Sequence, residues 1–207
     1  ISETVNSAVH QFGSIDVLVN NAGFYTIGAL ETISDEDIQR QINTNLIGLI
    51  RMTKEVLPHM RKARKGTIIN VSSVAGRTTV PIQSLYHAAK WGVEGFTESL
   101  QFEVKPFNIK VVLLEPGVIQ TDFYGRSMTS IPGGLESEYK DYVQKVTDYL
   151  VSGGNNGSSP AEVGKKIYDI AMLNKPKLRY PVGKSTGILF LHKILPGKLY
   201  MRMMNKT

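Results

Sequence analysis

The chain has 207 residues, 42% of them hydrophobic, with 24 Lys or Arg against 18 Asp or Glu and no cysteine. That length can bury a compact core; the missing cysteine excludes disulfide scaffolds, Cys-ligated zinc and thiol catalysis, and no run approaches the ~18 apolar residues of a membrane-crossing helix. The formal charge of +6 is no nucleic-acid signature, because from Ala161 onward ten Lys or Arg face only Glu162 and Asp169, so the excess belongs to the tail and residues 1–160 carry minus two.

Ile1, Val5, Ala8, Val9 and Phe12 recur at helical spacing up to Gly13, without the basic start or cleavage pattern of a secretory signal. Residues 15–20 then give a short apolar strand, closed by Asn20-Asn21-Ala22-Gly23. Ser34 reads as the cap of a long helix running toward Met60, with Asp35, Glu36 and Asp37 where the helix dipole favours negative charge and a basic end at residues 61–65. Gly66 punctuates, residues 67–71 form a second strand, and Ser72-Ser73-Val74-Ala75-Gly76 turns away from it.

Helical spacing returns over residues 84–105 and stops at Pro106, which lacks the amide hydrogen a helix needs. A third strand at residues 109–114 ends in Glu115-Pro116-Gly117. Apolar strands alternating with long helices predict an α/β fold, a parallel sheet with helices on both faces. Residues 123–160 break the rhythm with Gly-rich turns and a helical stretch bearing Tyr139, Tyr142 and Tyr149, as a lid over a site would. Ser159-Pro160 starts a further helix, and residues 178–182 suit a last strand.

Parallel sheets bind ligands beyond the carboxyl ends of their strands, and each strand here ends in a chemically suggestive cluster. The first offers the amides of Asn20 and Asn21 beside small residues. The second ends at Ser73, followed thirteen positions later by Tyr86 and four further by Lys90. Four residues apart on a helix means one face, so the Lys90 ammonium is expected to draw the Tyr86 phenol below its ordinary value and make a general acid and base. A lone Tyr-x-x-x-Lys is an ordinary surface pair; its placement after Ser73 is what gives it weight. His87 faces about 100° away from Tyr86 and reads as a surface or pocket-rim residue. The four histidines, His10, His59, His87 and His192, lack metal-site spacing.

Asn20-Asn21-Ala22-Gly23, Asn45 in Asn-Thr-Asn-Leu-Ile-Gly, Ser73, Tyr86-x-x-x-Lys90 and Pro116-Gly117-x-x-x-Thr121 together resemble the short-chain dehydrogenase/reductase family over nearly the whole chain, most like the branch with 17β-hydroxysteroid and retinol dehydrogenases. The resemblance implies a Rossmann-like doubly wound sheet and hydride transfer between NADP or NAD, with NADP favoured, and a lipophilic carbonyl or secondary alcohol. It implies that Tyr86 exchanges the proton, Ser73 holds the substrate oxygen, Lys90 tunes Tyr86 and bonds the nicotinamide ribose, and Asn45 holds a relay water. It also implies that Asn20, Ala22 and Gly23 flank the ribose and adenine, and that Pro116, Gly117, the Val118 backbone and Thr121 border the carboxamide. A homodimer or homotetramer through the long helices and a cytoplasmic location follow from it.

The family begins with a strand and a Thr-Gly-x-x-x-Gly-x-Gly turn that holds the pyrophosphate. Nothing similar precedes Asn20, so the sheet is expected to be incomplete, lacking its first strands, with an exposed apolar edge at residues 15–20. These residues alone are then expected to bind dinucleotide poorly. The tail, residues 187–207, is basic and amphipathic and can lie on a membrane surface; packing on the domain or across a subunit boundary is the favoured reading. Rival readings are a catalytically silent nucleotide sensor and a peripheral membrane adaptor.

Overall fold

The computed structural model describes residues 1–131 and 138–204. Helix α1 (Ser2–Phe12) is stopped by Gly13, which takes a φ of 78° that only glycine adopts cheaply and returns its amide to the Val9 carbonyl. After strand β1 (Val17–Asn20) and the short strand β2 (Tyr25–Gly28), the Ser34 hydroxyl accepts the Asp37 amide to start helix α2 (Asp35–Ile42). The long helix read toward Met60 changes pitch. A π-helical turn at Asn43–Ile47 joins α2 to α3 (Gly48–Ala63). Strand β3 (Gly66–Val71), helix α4 (Ser84–Val104) and strand β4 (Ile109–Pro116) match the sequence pattern, with Pro106 in the 3₁₀ turn that ends α4.

Strands β1, β3, β4 and β6 (Arg179–Val182) form a parallel sheet in that order. Because side chains alternate along a strand, register decides which residues share a face. Leu18 lies opposite Ile68, and Ile68 opposite Val111; this face packs on Val5 of α1, Val56 and Met60 of α3, and Leu100 and Val104 of α4. The other face presents Ile69, Val112 and Leu114 to Ile170 of helix α6 (Pro160–Ala171), which Ser159 caps. The fold is therefore α/β, a parallel sheet between helices. Ile68, Ile69, Val112, Leu113 and Leu114 are fully buried, each contributing about 1.5–3 kcal/mol by leaving water. At the β1 edge Val17 and Val19 are each 37% exposed.

A small second sheet was not legible in the sequence. Strand β2 pairs in parallel with β5 (Met128–Ile131), and Phe123, Tyr124 and Met128 pack with Tyr25, Tyr86 and Val146 of helix α5 (Lys140–Asn155). The start of the expected lid is thus seated on the domain, while Tyr139, Tyr142 and Tyr149 are exposed; residues 132–137 of that lid lie outside the described residues. The tail forms α7 (Gly187–Ile194) and α8 (Gly197–Met204), parted at Pro196; residues 205–207 lie outside the described residues. Domain packing accounts for Tyr200, which is buried and donates to the Thr79 carbonyl at 3.2 Å. It does not account for Phe190, Ile194, Leu199 and Met201, which are exposed. No helix among the described residues is long and apolar enough to cross a membrane.

Candidate active site

The carboxyl ends of β1, β3 and β4 open into one cleft of about 810 Å³, walled by Gly23, Ser73, Tyr86, Lys90, Gly117 and Thr121 among others. Ser73 leaves β3 in an extended conformation and its hydroxyl accepts the Ala75 amide, starting the turn Val74–Gly76. That turn packs on α4, whose first turns carry Tyr86 and Lys90 on one side. The three groups that the spacing singled out therefore share one pocket.

Their electrostatics differ from the expectation. Tyr86 is buried beside the Tyr25 and Phe123 rings, with centroids at 5.5 and 6.1 Å. Burial raises its hydroxyl above the ordinary value, opposed by the Ser73 hydroxyl, which favours the phenolate. Lys90 makes no hydrogen bond to that hydroxyl among the described residues. The ammonium lies 5.8 Å from the Tyr86 ring centroid and donates instead to the Val71 carbonyl at 2.8 Å. Desolvation of this nearly buried amine pushes Lys90 down to about 8, opposed by the Glu94 carboxylate one turn further along α4.

Other expected site residues are placed differently. Asn20 is buried and directed away from the cleft: its Nδ2 donates to Thr53 Oγ1 at 3.0 Å and to Asn70 Oδ1 at 2.8 Å, and Asn70 donates to Thr97 Oγ1 at 2.9 Å. The reason is strand parity, since Asn20 shares the helix-covered face with Leu18 while Val19 faces the cleft. Ala22 is exposed and outside the cleft lining, whereas Asn21 lines it. Asn45 is buried in the π turn, and its side-chain amide clasps the Phe24 backbone, donating to the carbonyl at 2.6 Å and accepting the amide at 3.1 Å. That amide is committed to fastening the loop after β1.

Pro116 and Gly117 line the cleft where β4 ends. A Cβ on Gly117 would run into the Lys184 carbonyl oxygen, so only glycine lets the segments after β4 and β6 approach. The Val118 amide donates to Lys184 O, and its carbonyl accepts the Ser158 amide, both at 2.9 Å, so these groups hold protein. Thr121 accepts the Phe123 amide and stands on the cleft wall. Of the two places expected for His87, surface or pocket rim, it takes the second: it is buried and lines the cleft, with Nδ1 2.8 Å from the Ala75 carbonyl and Nε2 accepting the Val80 amide at 3.0 Å. These bonds require the neutral Nδ1–H tautomer, and burial lowers its basicity.

Two features escaped the sequence reading. Tyr25, stacked on Phe123 at 4.8 Å, forms an aromatic wall with a buried hydroxyl that has no hydrogen-bond partner among the described residues. Behind Lys90, two buried carboxylates meet two guanidiniums. Arg179 Nε lies 3.0 Å from Glu94 and 3.5 Å from Glu115, and Arg77 lies 3.2 Å from Glu115. The four-residue step from Tyr86 through Lys90 to Glu94 was the available signal for Glu94; nothing local signalled Tyr25.

Comparison with known proteins is consistent with this geometry. Residues 1–130 match the family model described as short chain dehydrogenase. The chain is 39% identical over 190 residues to a 3-ketodihydrosphingosine reductase of Bacteroides thetaiotaomicron, covering 92% of this chain and 71% of that protein. It is 37% identical over 202 residues to retinol dehydrogenase 8 of Bos taurus, covering 93% of this chain and 64% of that one. Among solved structures, a short-chain dehydrogenase from Streptomyces avermitilis superposes with a TM-score of 0.82 at 27% identity, over 99% of this chain and 73% of that chain. ElxO with NADP bound superposes with a TM-score of 0.66 at 28% identity, over 86% of this chain and 69% of that chain.

Proposed function

We propose, for a chain that belongs to the short-chain dehydrogenase family and hence to its oxidoreductases, that it reduces a lipophilic ketone or aldehyde, or oxidises the matching alcohol, with Tyr86 as general acid and base. The carrying observation is the convergence of Ser73, Tyr86 and Lys90 on one cleft at the strand ends. When bound, the nicotinamide dinucleotide supplies or accepts the hydride. NADP is the favoured form, since ElxO at 28% identity holds it. The cleft suits such a group: Gly23 and Gly117 bring bare backbone to its walls, and Lys90 offers a cation.

In reduction, the Ser73 hydroxyl donates to the carbonyl oxygen and Tyr86 gives it a proton as the carbon gains hydride. Burial keeps the Tyr86 phenol protonated at neutral pH, as an acid requires. Lys90, brought to about 8, can return a proton to Tyr86 near physiological pH. Asn45 is assigned a positioning role, holding the loop that carries Gly23. The rings of Tyr25, Phe123 and Tyr124 favour an apolar substrate, and the two relatives are named for lipophilic ones, 3-ketodihydrosphingosine and retinol. Exposed Trp91 and Phe102 on α4 suit an assembly of two or four copies.

The test follows oxidation of NADPH by the protein in its full natural length across long-chain ketones, retinoid aldehydes and steroid ketones. Tyr86→Phe is expected to lower turnover about 10²–10⁴-fold while retaining dinucleotide binding by fluorescence. Undiminished turnover in that variant overturns the assignment.

A further inference from the structure

Beyond the cleft, the α7–α8 hairpin carries a surface that the domain leaves uncovered. Phe190, Leu191 and Ile194 of α7 are 65%, 39% and 54% exposed and span an arc of about 100° at the helical period. Continuing round the helix from Leu191 leads to Ile188, which lines the cleft. One apolar stripe thus runs from solvent to the pocket wall. The hairpin is fixed by Tyr200, whose ring meets His192 edge-on at 4.7 Å and whose hydroxyl reaches Thr79, between cleft-lining Thr78 and Val80. With Tyr200 facing inward, the helical period turns Lys198 and Arg202 outward, flanked by exposed Leu199 and Met201.

We propose that this hairpin docks on an anionic lipid bilayer, inserting Phe190, Ile194 and Leu199 while Lys193, Lys198 and Arg202 meet the headgroups. Charge selects this occupant. No Asp or Glu follows Asp169, whereas eight Lys or Arg do, and Lys193, Lys198 and Arg202 make no ion pair among the described residues. A two-fold contact with a second copy would set these cations against their own kind, with no carboxylate on the hairpin itself among the described residues to answer them. A bilayer with acidic headgroups satisfies both the apolar arc and its cationic border. Docking there sets the cleft mouth at the lipid surface, where a lipophilic substrate resides; that delivery role rests on the reading of the cleft given above, whereas the docking itself does not.

The experiment is co-sedimentation of the full-length protein with phosphatidylcholine vesicles, with and without phosphatidylserine. Partition is expected to be about tenfold stronger on the acidic vesicles and to fall with added salt. Phe190→Ser with Ile194→Ser is expected to lower it about tenfold, and Lys198→Glu with Arg202→Glu to erase the preference for acidic lipid, each with unchanged circular dichroism. Equal partition on neutral vesicles, no partition, or unaltered binding by both variants overturns the proposal. So does loss of self-association in sedimentation velocity without loss of vesicle binding, which assigns the face to a second copy. Turnover of a short water-soluble ketone, unaffected by these variants, separates the two readings: its absence in a vesicle-binding protein counts against the oxidoreductase reading alone.

Discussion

Lys90→Met sets the burial of a charge against the chemistry that needs it. The amine is 6% exposed, and burial moves it from 10.5 to about 8. The folded value lies below the unfolded one, so stability from this group is present above pH 10.5 and is lost as pH falls through about 8. Between those values the unfolded chain holds a proton that the folded protein has released, and wild-type stability rises by about 1.4 kcal/mol per pH unit. Over a gap of about 2.5 pH units that amounts to about 3 kcal/mol.

Methionine keeps the length and removes the proton, so the stability of wild type minus Lys90→Met is expected to grow by about 3 kcal/mol from pH 7 to 10.5. At pH 7 the variant loses the 2.8 Å bond to Val71 together with the cost of burying the charge. These offset, leaving the two proteins within about 1 kcal/mol. Urea unfolding followed by Trp91 fluorescence across the pH series measures the difference, and turnover by the same variant is expected to be lost. A difference that stays flat with pH refutes the claim that the ammonium is desolvated in the fold.

Three further outcomes follow from individual contacts. Asn70→Ala removes bonds from Asn20 and to Thr97 at a fully buried site; a lower urea midpoint at unchanged slope, worth about 3 kcal/mol, is expected. Gly117→Ala forces a Cβ against the Lys184 carbonyl; a loss of about 2 kcal/mol or more and faster hydrogen exchange at the Val118 amide are expected, because backbone cannot yield as a side chain does. Glu115 is raised by burial and by Glu94, against Arg77 and Arg179, so its contribution is fully present below the ordinary carboxylate value and lost as pH rises through the raised one. Relative to Glu115→Gln, the wild type is therefore expected to gain stability as the buffer is taken from pH 7 toward 4.5.

The parts legible in the sequence depend on short-range periodicity. Residues 67–71 and 109–114 are apolar on both faces because both are covered, and that pattern names a buried parallel strand before any partner is known. Tyr86 and Lys90 share a face because a helix repeats nearly every four residues, whatever surrounds it. The same rule left two places open for His87, surface or pocket rim, and could not choose between them: facing away from Tyr86 meant facing solvent only if α4 had a wet side there, and the Val74–Gly76 turn and Val80 occupy it, leaving His87 on the cleft wall. Strands β2 and β5 have four residues each and contain Thr26, Gly28, Thr129 and Ser130, so their pairing rests on long-range packing of Tyr25 on Phe123, which no window of sequence contains.

Asn20 and Asn45 show where family resemblance and local physics part. An amide at a strand end offers the same donors and acceptors to a ligand as to a neighbouring backbone, so the residue type alone does not choose. Strand parity does choose for Asn20. With Leu18 in the core, the residue two further on must also face the helices, and a polar side chain there needs partners, which Thr53 and Asn70 provide, Asn70 donating in turn to Thr97. The network ties α3 and α4 to the two strands ending at the cleft, so its predicted 3 kcal/mol has a second consequence. Asn70→Ala should loosen the spacing between Gly23 and Ser73, and a rise in the KM for dinucleotide larger than the fall in kcat would identify Asn20 and Asn70 as positioning residues that act on the cleft from beneath the sheet.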